Sequence, residues 1–214
     1  MTEVWAAIPV KGLTGAKQRL AALLSGEQRE ALAAAMLKDV LDAVAKSRVA
    51  GIMVNTADPR SAALARRYGA RVVSEDACAG HTSAVLGMGR LLSREGRSAM
   101  VALPGDIPLM TGAELNAVIA ACGEAGSFVI APAHDELGSN AVLCTPPDVI
   151  PLRFGDDSYF PHLEAARRHG VEPRIVRAPG IGLDVDHPAD LRALLAVRPR
   201  RAIRTIALLE SMGL

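Results

Sequence analysis

An alternation running through the first two thirds of the chain constrains its fold more than any other feature. Short apolar runs at residues 4–10 (VWAAIPV), 51–56 (GIMVNT), 70–74 and 100–103 (MVAL) have strand length. Helix signals separate them. Ser25 and Gln28 form a capping box, and Leu32, Met36, Leu37, Val40, Leu41 and Val44 recur at helical spacing, so a helix is expected to about Lys46. Asp58 caps a second helix that Pro59 opens and Gly69 stops. A third is expected from Thr82 to about Glu95, and Thr111 with Glu114 opens a fourth to about Cys122. Strands alternating with helices predict an α/β fold with a mostly parallel central sheet flanked by helices.

After residue 126 the rhythm changes. Strands are expected at residues 127–132, 141–144 and 174–178, with a turn at Gly138-Ser139-Asn140. Helices are expected over 159–169, from Pro188 to about Val197, and over 201–212. No internal repeat interrupts this order. A single domain over 1–214 is the expectation, with residues 133–180 as an elaboration of the sheet.

The composition narrows the function. Half of the 214 residues are apolar, enough for a substantial core, and the formal net charge is +1. Nothing here favours nucleic acid or an anionic membrane as partner. Aromatic residues are too scarce for a stacking platform. Cys78, Cys122 and Cys144 are far apart and fit neither a zinc pattern nor a disulfide framework. With no leader-like N-terminus and no run of membrane-spanning length, a cytoplasmic protein is expected.

The chemistry converges on Asp106. The run at 100–103 breaks into Pro104-Gly105-Asp106-Ile107-Pro108, and ligands of open α/β sheets bind beyond the carboxyl ends of strands. Asp184 and Asp186 stand at i and i+2, so an extended backbone points both to one face. Three such carboxylates suit Mg²⁺ or Mn²⁺. The structural alternative makes Asp184 a loop residue and Asp186 a helix cap. In the loop after the first strand, Lys11, Lys17 and Arg19 surround Gly12 and Gly15, an arrangement suited to phosphate. It matches neither GxxxxGK nor GxGxxG. Gly155 and Ser158 precede a helix and make a candidate anion site, unless Ser158 is only an N-cap; Ser139 is a second candidate. His162 and His169 are assigned surface or packing roles, His81 and His134 have no partner at ligand spacing, and the C-terminal arginines, Arg204 among them, a solvated helical region.

Taken in order, Ile8-Pro9-Val10-Lys11, Ala16-Lys17-Gln18-Arg19-Leu20, Leu103-Pro104-Gly105-Asp106-Ile107-Pro108, Gly138-Ser139-Asn140-Ala141, Arg153-Phe154-Gly155 and Leu183-Asp184-Val185-Asp186-His187-Pro188 form a recognisable series. The chain resembles the CofC/FbiD guanylyltransferases of coenzyme F-420 biosynthesis along nearly its whole length. The resemblance implies a GT-A-like, Rossmann-like nucleotidyltransferase fold. It implies transfer of GMP from GTP to 2-phospho-L-lactate, phosphoenolpyruvate or 3-phospho-D-glycerate, with release of pyrophosphate. It assigns metal to Asp106, Asp184 and Asp186, and the phosphorylated acid to Ser139, Gly155 and Ser158. Lys11, Gly12 and Lys17 match the loop that meets the nucleotide phosphates, and Lys11, Lys17 and Asp106 are the expected catalytic groups. Gly80, Thr82 and Ser83 fall where relatives often carry a guanine-contacting Gly-Leu-Asn-like motif.

Two rivals keep the site. A molybdenum-cofactor or sugar-phosphate nucleotidyltransferase would share the carboxylates, but its usual Leu-Ala-Gly-Gly start is replaced here by Ile8-Pro9-Val10-Lys11. A non-catalytic nucleotide-binding regulator is the rival from another class; retention of three aspartates and two lysines disfavours it. The 198–214 tail has two places to pack, its own domain or a second copy in a homodimer.

Overall fold

In the computed structural model, which describes residues 2–75, 79–123, 126–155, 157–197, 199 and 203–214, the strands form one sheet. They are β1 (Val4–Pro9), β2 (Gly51–Asn55), β3 (Arg71–Val73), β4 (Ala99–Ala102), β5 (Ser127–Pro132), β6 (Ser139–Thr145) and β7 (Arg174–Ile175). The helices are α1 (Gly26–Ala45), α2 (Pro59–Arg66), α3 (His81–Arg94), α4 (Gly112–Ala120), α5 (Tyr159–Arg168), α6 (Pro179–Gly182), α7 (Pro188–Ala196) and α8 (Arg204–Ser211). Cys78, Asp156, Arg198, Arg200 and Arg201 lie outside the described residues. Among those residues no helix is long and apolar enough to cross a membrane.

Successive side chains leave a strand on opposite faces, and β1 shows how that builds the layers. Ala6 and Ile8 join a cluster with Leu37, Val40 and Leu41 of α1 and Leu115 and Val118 of α4. Ala7 joins another, with Val85, Met88 and Leu92 of α3 and Leu163 and Ala166 of α5. Both faces of the sheet are covered, which is why its strands are continuous apolar runs. The expected capping boxes at Ser25/Gln28 and Thr111/Glu114 are formed, and Asp58 caps α2 with Pro59 at its first turn.

The strand order is β3-β2-β1-β4-β6-β5-β7. β6 runs antiparallel to both neighbours, and the remaining pairs are parallel. That reversal positions the site. Ala102, at the end of β4, pairs with Val142, so the start of β6 lies beyond the end of β4. The turn expected at Gly138-Ser139-Asn140 is corrected here: Ser139 and Asn140 belong to β6. Pro132 pairs with Ser139 across a register shift, and the Ala133 N–H donates to Gly138 O at 2.9 Å. The extra strand length comes from this irregular pairing.

A third cluster supports the site from below. It joins Leu20, Leu32, Met36, Leu183, Val185, Leu191 and Leu209. Asp39 of α1 secures α8 by accepting from the Thr205 N–H at 2.9 Å and the Thr205 hydroxyl at 2.7 Å. Arg204, expected in a solvated helical region, is exposed at the start of α8, where it also donates to Asp42 and, through its backbone, to Asp39. The helix α6 was not foreseen. Its Gly180 N–H donates to Glu114 Oε1 at 2.6 Å, and a Cβ there would lie 2.5 Å from both Leu109 O and Glu114 Oε2. Two residues past α6 the chain extends, and the Val185 N–H donates to Asp106 O at 3.1 Å.

Gly180→Ala therefore forces α6 away from α4. A loss of about 1–3 kcal/mol in unfolding free energy is expected, measured by urea denaturation; an unchanged midpoint would refute the required close approach.

Candidate active site

Asp106 emerges from the end of β4 through Pro104-Gly105, and its carboxylate meets an ammonium from the loop after β1. Lys17 Nζ lies 2.5 Å from Asp106 Oδ2 and 2.6 Å from Asp186 Oδ1. The Lys17 backbone is left-handed, φ 52° and ψ 45°, an uncommon conformation for a residue with a side chain. It directs the side chain inward, where two carboxylates compensate its burial. Burial pushes the Lys17 ammonium down, but Asp106 and Asp186 outweigh it and hold the group above its ordinary value.

The three aspartates differ in their surroundings. Burial pushes Asp186 up, and Lys17, joined by Arg19 and His187, more than reverses this, leaving the carboxyl below its ordinary range. Burial pushes Asp184 up as well; the Asn140 amide, donating at 2.9 Å, opposes it, while the charges of Asp106 and Asp186 add to it, and the net shift is upward. Asp106 Oδ1 is buried and has no hydrogen-bond partner among the described residues. Asp184 and Asp186 flank the buried Val185, as i, i+2 spacing requires. The cap alternative for Asp186 does not hold: the N-cap of α7 is His187, with Asp190 completing its box. Among the described residues no three His, Cys, Asp or Glu side chains are grouped to hold a metal ion as they stand. Lys17 occupies the space between two of the three expected ligands.

The basic loop is held from several sides. Asp58 Oδ2 accepts from the Leu13 N–H at 3.1 Å, Arg60 donates to Thr14 Oγ1 at 2.8 Å, and Arg29 donates to Ala16 O at 3.3 Å. It borders a cavity of about 550 Å³, which Lys11, Gly12 and Lys17 line. A second cavity, about 830 Å³, is lined by Ser139, Gly155, Ser158 and Asp184. The two share Lys11, Arg19, His81, Pro104, Asp106 and Asp186. The carboxylate–lysine cluster thus stands at their junction.

Other expected residues are placed differently. Gly80, Thr82 and Ser83 line neither of these cavities, whereas His81 lines both. The Thr82 hydroxyl accepts from the Phe154 N–H at 3.0 Å and so anchors the wall of the larger cavity. Ser158 occupies the N-cap position of α5 but makes no capping bond; its hydroxyl donates to Ser139 Oγ at 3.2 Å. His162, expected in a surface or packing role, is packed at 1% exposure; its bond to Ser139 was not expected. Its spacing from Ser158, one helical turn, was the available signal.

A family model described as guanylyl transferase, CofC like, matches residues 4–201. The chain is 37% identical over 204 residues to a phosphoenolpyruvate guanylyltransferase of Rubrobacter xylanophilus, covering 93% of this chain and 99% of that protein. It is 32% identical over 188 residues to a 3-phospho-D-glycerate guanylyltransferase of Colwellia psychrerythraea, covering 87% and 89%. A nucleotidyl transferase from Methanothermobacter thermautotroptrophicus superposes with a TM-score of 0.65 at 16% identity, covering 99% of this chain and 100% of that one. That structural likeness shows the fold, which is nucleotidyltransferase-like.

The Lys17 cluster has a pH signature. Asp186 contributes stability that is present above its ordinary pKa of 3.8 and is lost as pH falls through its lower folded value. Lys17 contributes stability that is present below 10.5 and is lost as pH rises through its higher folded value. Lys17→Met should therefore cost about 1–3 kcal/mol near neutrality, discounted because Asp186 is partly exposed. The deficit should begin to shrink by about pH 3.5, below the ordinary value of Asp186, and should vanish only below its lowered folded value. Urea unfolding at both pH values measures it, and a pH-independent deficit would contradict the ion-pair account.

Proposed function

The chain belongs to the CofC-like guanylyl transferase family, and from that premise we propose that it transfers GMP from GTP to phosphoenolpyruvate with release of pyrophosphate. The family implies a place in coenzyme F-420 biosynthesis. Phosphoenolpyruvate is the first acid to test because the 37%-identical relative bears that name; 3-phospho-D-glycerate, named for the 32%-identical relative, is the second. One observation carries the reading: an aspartate–lysine cluster stands where two cavities meet, one bordered by a basic loop and the other by hydroxyls.

In this reading GTP lies in the smaller cavity, its phosphates along Lys11, Gly12 and Lys17, with the first turn of α3 after Gly80 closing the nucleotide side. The phosphorylated acid lies in the larger cavity, to whose lining residues 133–158 contribute Ser139, Gly155 and Ser158. Its phosphate oxygen attacks the α-phosphorus of GTP; the new P–O bond forms as the bond to pyrophosphate breaks. The attacking oxygen is already an anion, so no side chain must remove a proton. The barrier comes from bringing two anions together, and preorganised charge is what lowers it. Lys11 and Lys17 supply positive charge.

Asp106, Asp184 and Asp186 would hold a divalent cation. The unpartnered Asp106 Oδ1 and the hard oxygen donors fit Mg²⁺, with Mn²⁺ as a substitute. When bound, such an ion neutralises charge on phosphate oxygens and polarises the phosphorus they surround. We place the reaction in the cytoplasm, where GTP is available.

Asp106→Asn should lower kcat at least about 100-fold while the protein still folds cooperatively, its loss of stability limited to about 1–3 kcal/mol because Lys17 keeps Asp186 as partner. Pyrophosphate release from GTP, Mg²⁺ and each acid, with the product identified by mass spectrometry, measures this. Absence of a GMP–acid product from the wild-type protein with any of the acids would overturn the reading.

A further inference from the structure

His162 is a buried imidazole for which nucleotidyl transfer itself requires no role. The ring is enclosed by aromatic neighbours, with Phe154 edge-on at 5.0 Å between centroids and Phe128 at 6.4 Å. Both ring nitrogens are engaged. Nε2 lies 3.0 Å from the Arg153 backbone nitrogen, and Nδ1 lies 3.0 Å from Ser139 Oγ. A backbone N–H can only donate, so Nε2 is the acceptor and carries no proton. A neutral imidazole has one N–H, which therefore resides on Nδ1 and donates to Ser139. Burial, helped by Arg153, holds the ring down at about 4, so it is neutral near physiological pH.

The direction of the remaining protons follows. Ser139 Oγ receives the His162 proton and lies 3.2 Å from the buried Ser158 hydroxyl. Each serine has a single hydroxyl proton. One of the two is used between the serines, and the other points away from the histidine. Both serines line the larger cavity. With the opposite tautomer, Ser139 would donate to the ring and the pair would offer lone pairs to an incoming anion.

We propose that His162 is a positioning residue that sets the proton direction along His162, Ser139 and Ser158, so that the pair presents a hydroxyl donor to an anionic oxygen of the phosphorylated acid. This rests on the assignment of the acid to the larger cavity. It also adds a second duty, since the Arg153 N–H bond ties the 153–155 loop to α5.

Two variants separate these duties. In His162→Asn the amide nitrogen stands near the place of Nδ1 and can donate to Ser139, but the acceptor for Arg153 is lost. In His162→Gln the amide oxygen reaches the place of Nε2 and accepts from Arg153, but the donor to Ser139 is lost. The Gln variant should weaken phosphoenolpyruvate about tenfold, in KM and in calorimetric Kd, with the KM for GTP unchanged. The Asn variant should stay closer to wild type for the acid. Nitrogen-15 NMR of the wild-type protein should show the His162 proton on Nδ1 from about pH 8 to about pH 5.

A proton on Nε2 overturns the proposal. So do equal effects of both variants on acid and GTP, which would mark a structural role only. If the wild type binds phosphoenolpyruvate without forming product, the guanylyltransferase reading fails, and the Asn/Gln comparison of Kd still decides the role of His162. If it binds none of the three acids, the positioning role fails as well.

Discussion

The arrangement depends on one buried ammonium. Lys17 reaches in from a left-handed backbone position and lies between Asp106 and Asp186, carboxylates that come from distant parts of the chain. Without that charge, Asp106 and Asp186 would repel each other, and Asp184 adds a third acidic group nearby. Its upward shift records part of that repulsion. The cluster is thus held together but remains incompletely satisfied, with Asp106 Oδ1 lacking a partner among the described residues. A group of this kind can hold a cation or meet phosphate without large rearrangement of the surrounding sheet, because its members are fixed by backbone hydrogen bonds such as Val185 N–H to Asp106 O.

The sheet makes that meeting possible. β1 and β4 are parallel neighbours, so the loops after both leave at one edge. β6 is reversed, so its beginning arrives at the same edge. An all-parallel order would have placed the far end of β6 there and taken Ser139 and Asn140 away. The antiparallel strand therefore puts hydroxyl and amide groups beside the carboxylates, and Asn140 donates to Asp184 directly. In the guanylyl transfer proposed for this site, fixed positive charge, carboxylates and neutral donors would act together on two bound anions.

Much of this was legible in the sequence. The alternation of apolar runs with Ser25, Asp58 and Thr111 caps was enough for the layers, because these signals are local. The pairing of Asp184 with Asp186 was legible from a period of two. Their approach to Asp106 was inferred from chemistry and family resemblance, since nothing local connects residues so far apart. The inward turn of Lys17 was not legible, because no glycine marks its positive φ. The bond from His162 to Ser139 was not legible, because a histidine on an amphipathic helix looks alike whether it only packs or also binds. The early start of β6 depended on a bulge at Pro132, and α6 on a contact between Gly180 and Glu114, both tertiary features.

The central claim is that nucleotide and acid occupy separate cavities and meet at the Asp106 wall. A crystal structure with phosphoenolpyruvate and a non-hydrolysable GTP analogue tests it most directly. The account predicts the triphosphate along the Lys11–Lys17 loop, the acid beside Ser139 and Ser158, and the α-phosphorus next to Asp106. Both ligands in one cavity, or an α-phosphorus remote from Asp106, would contradict it.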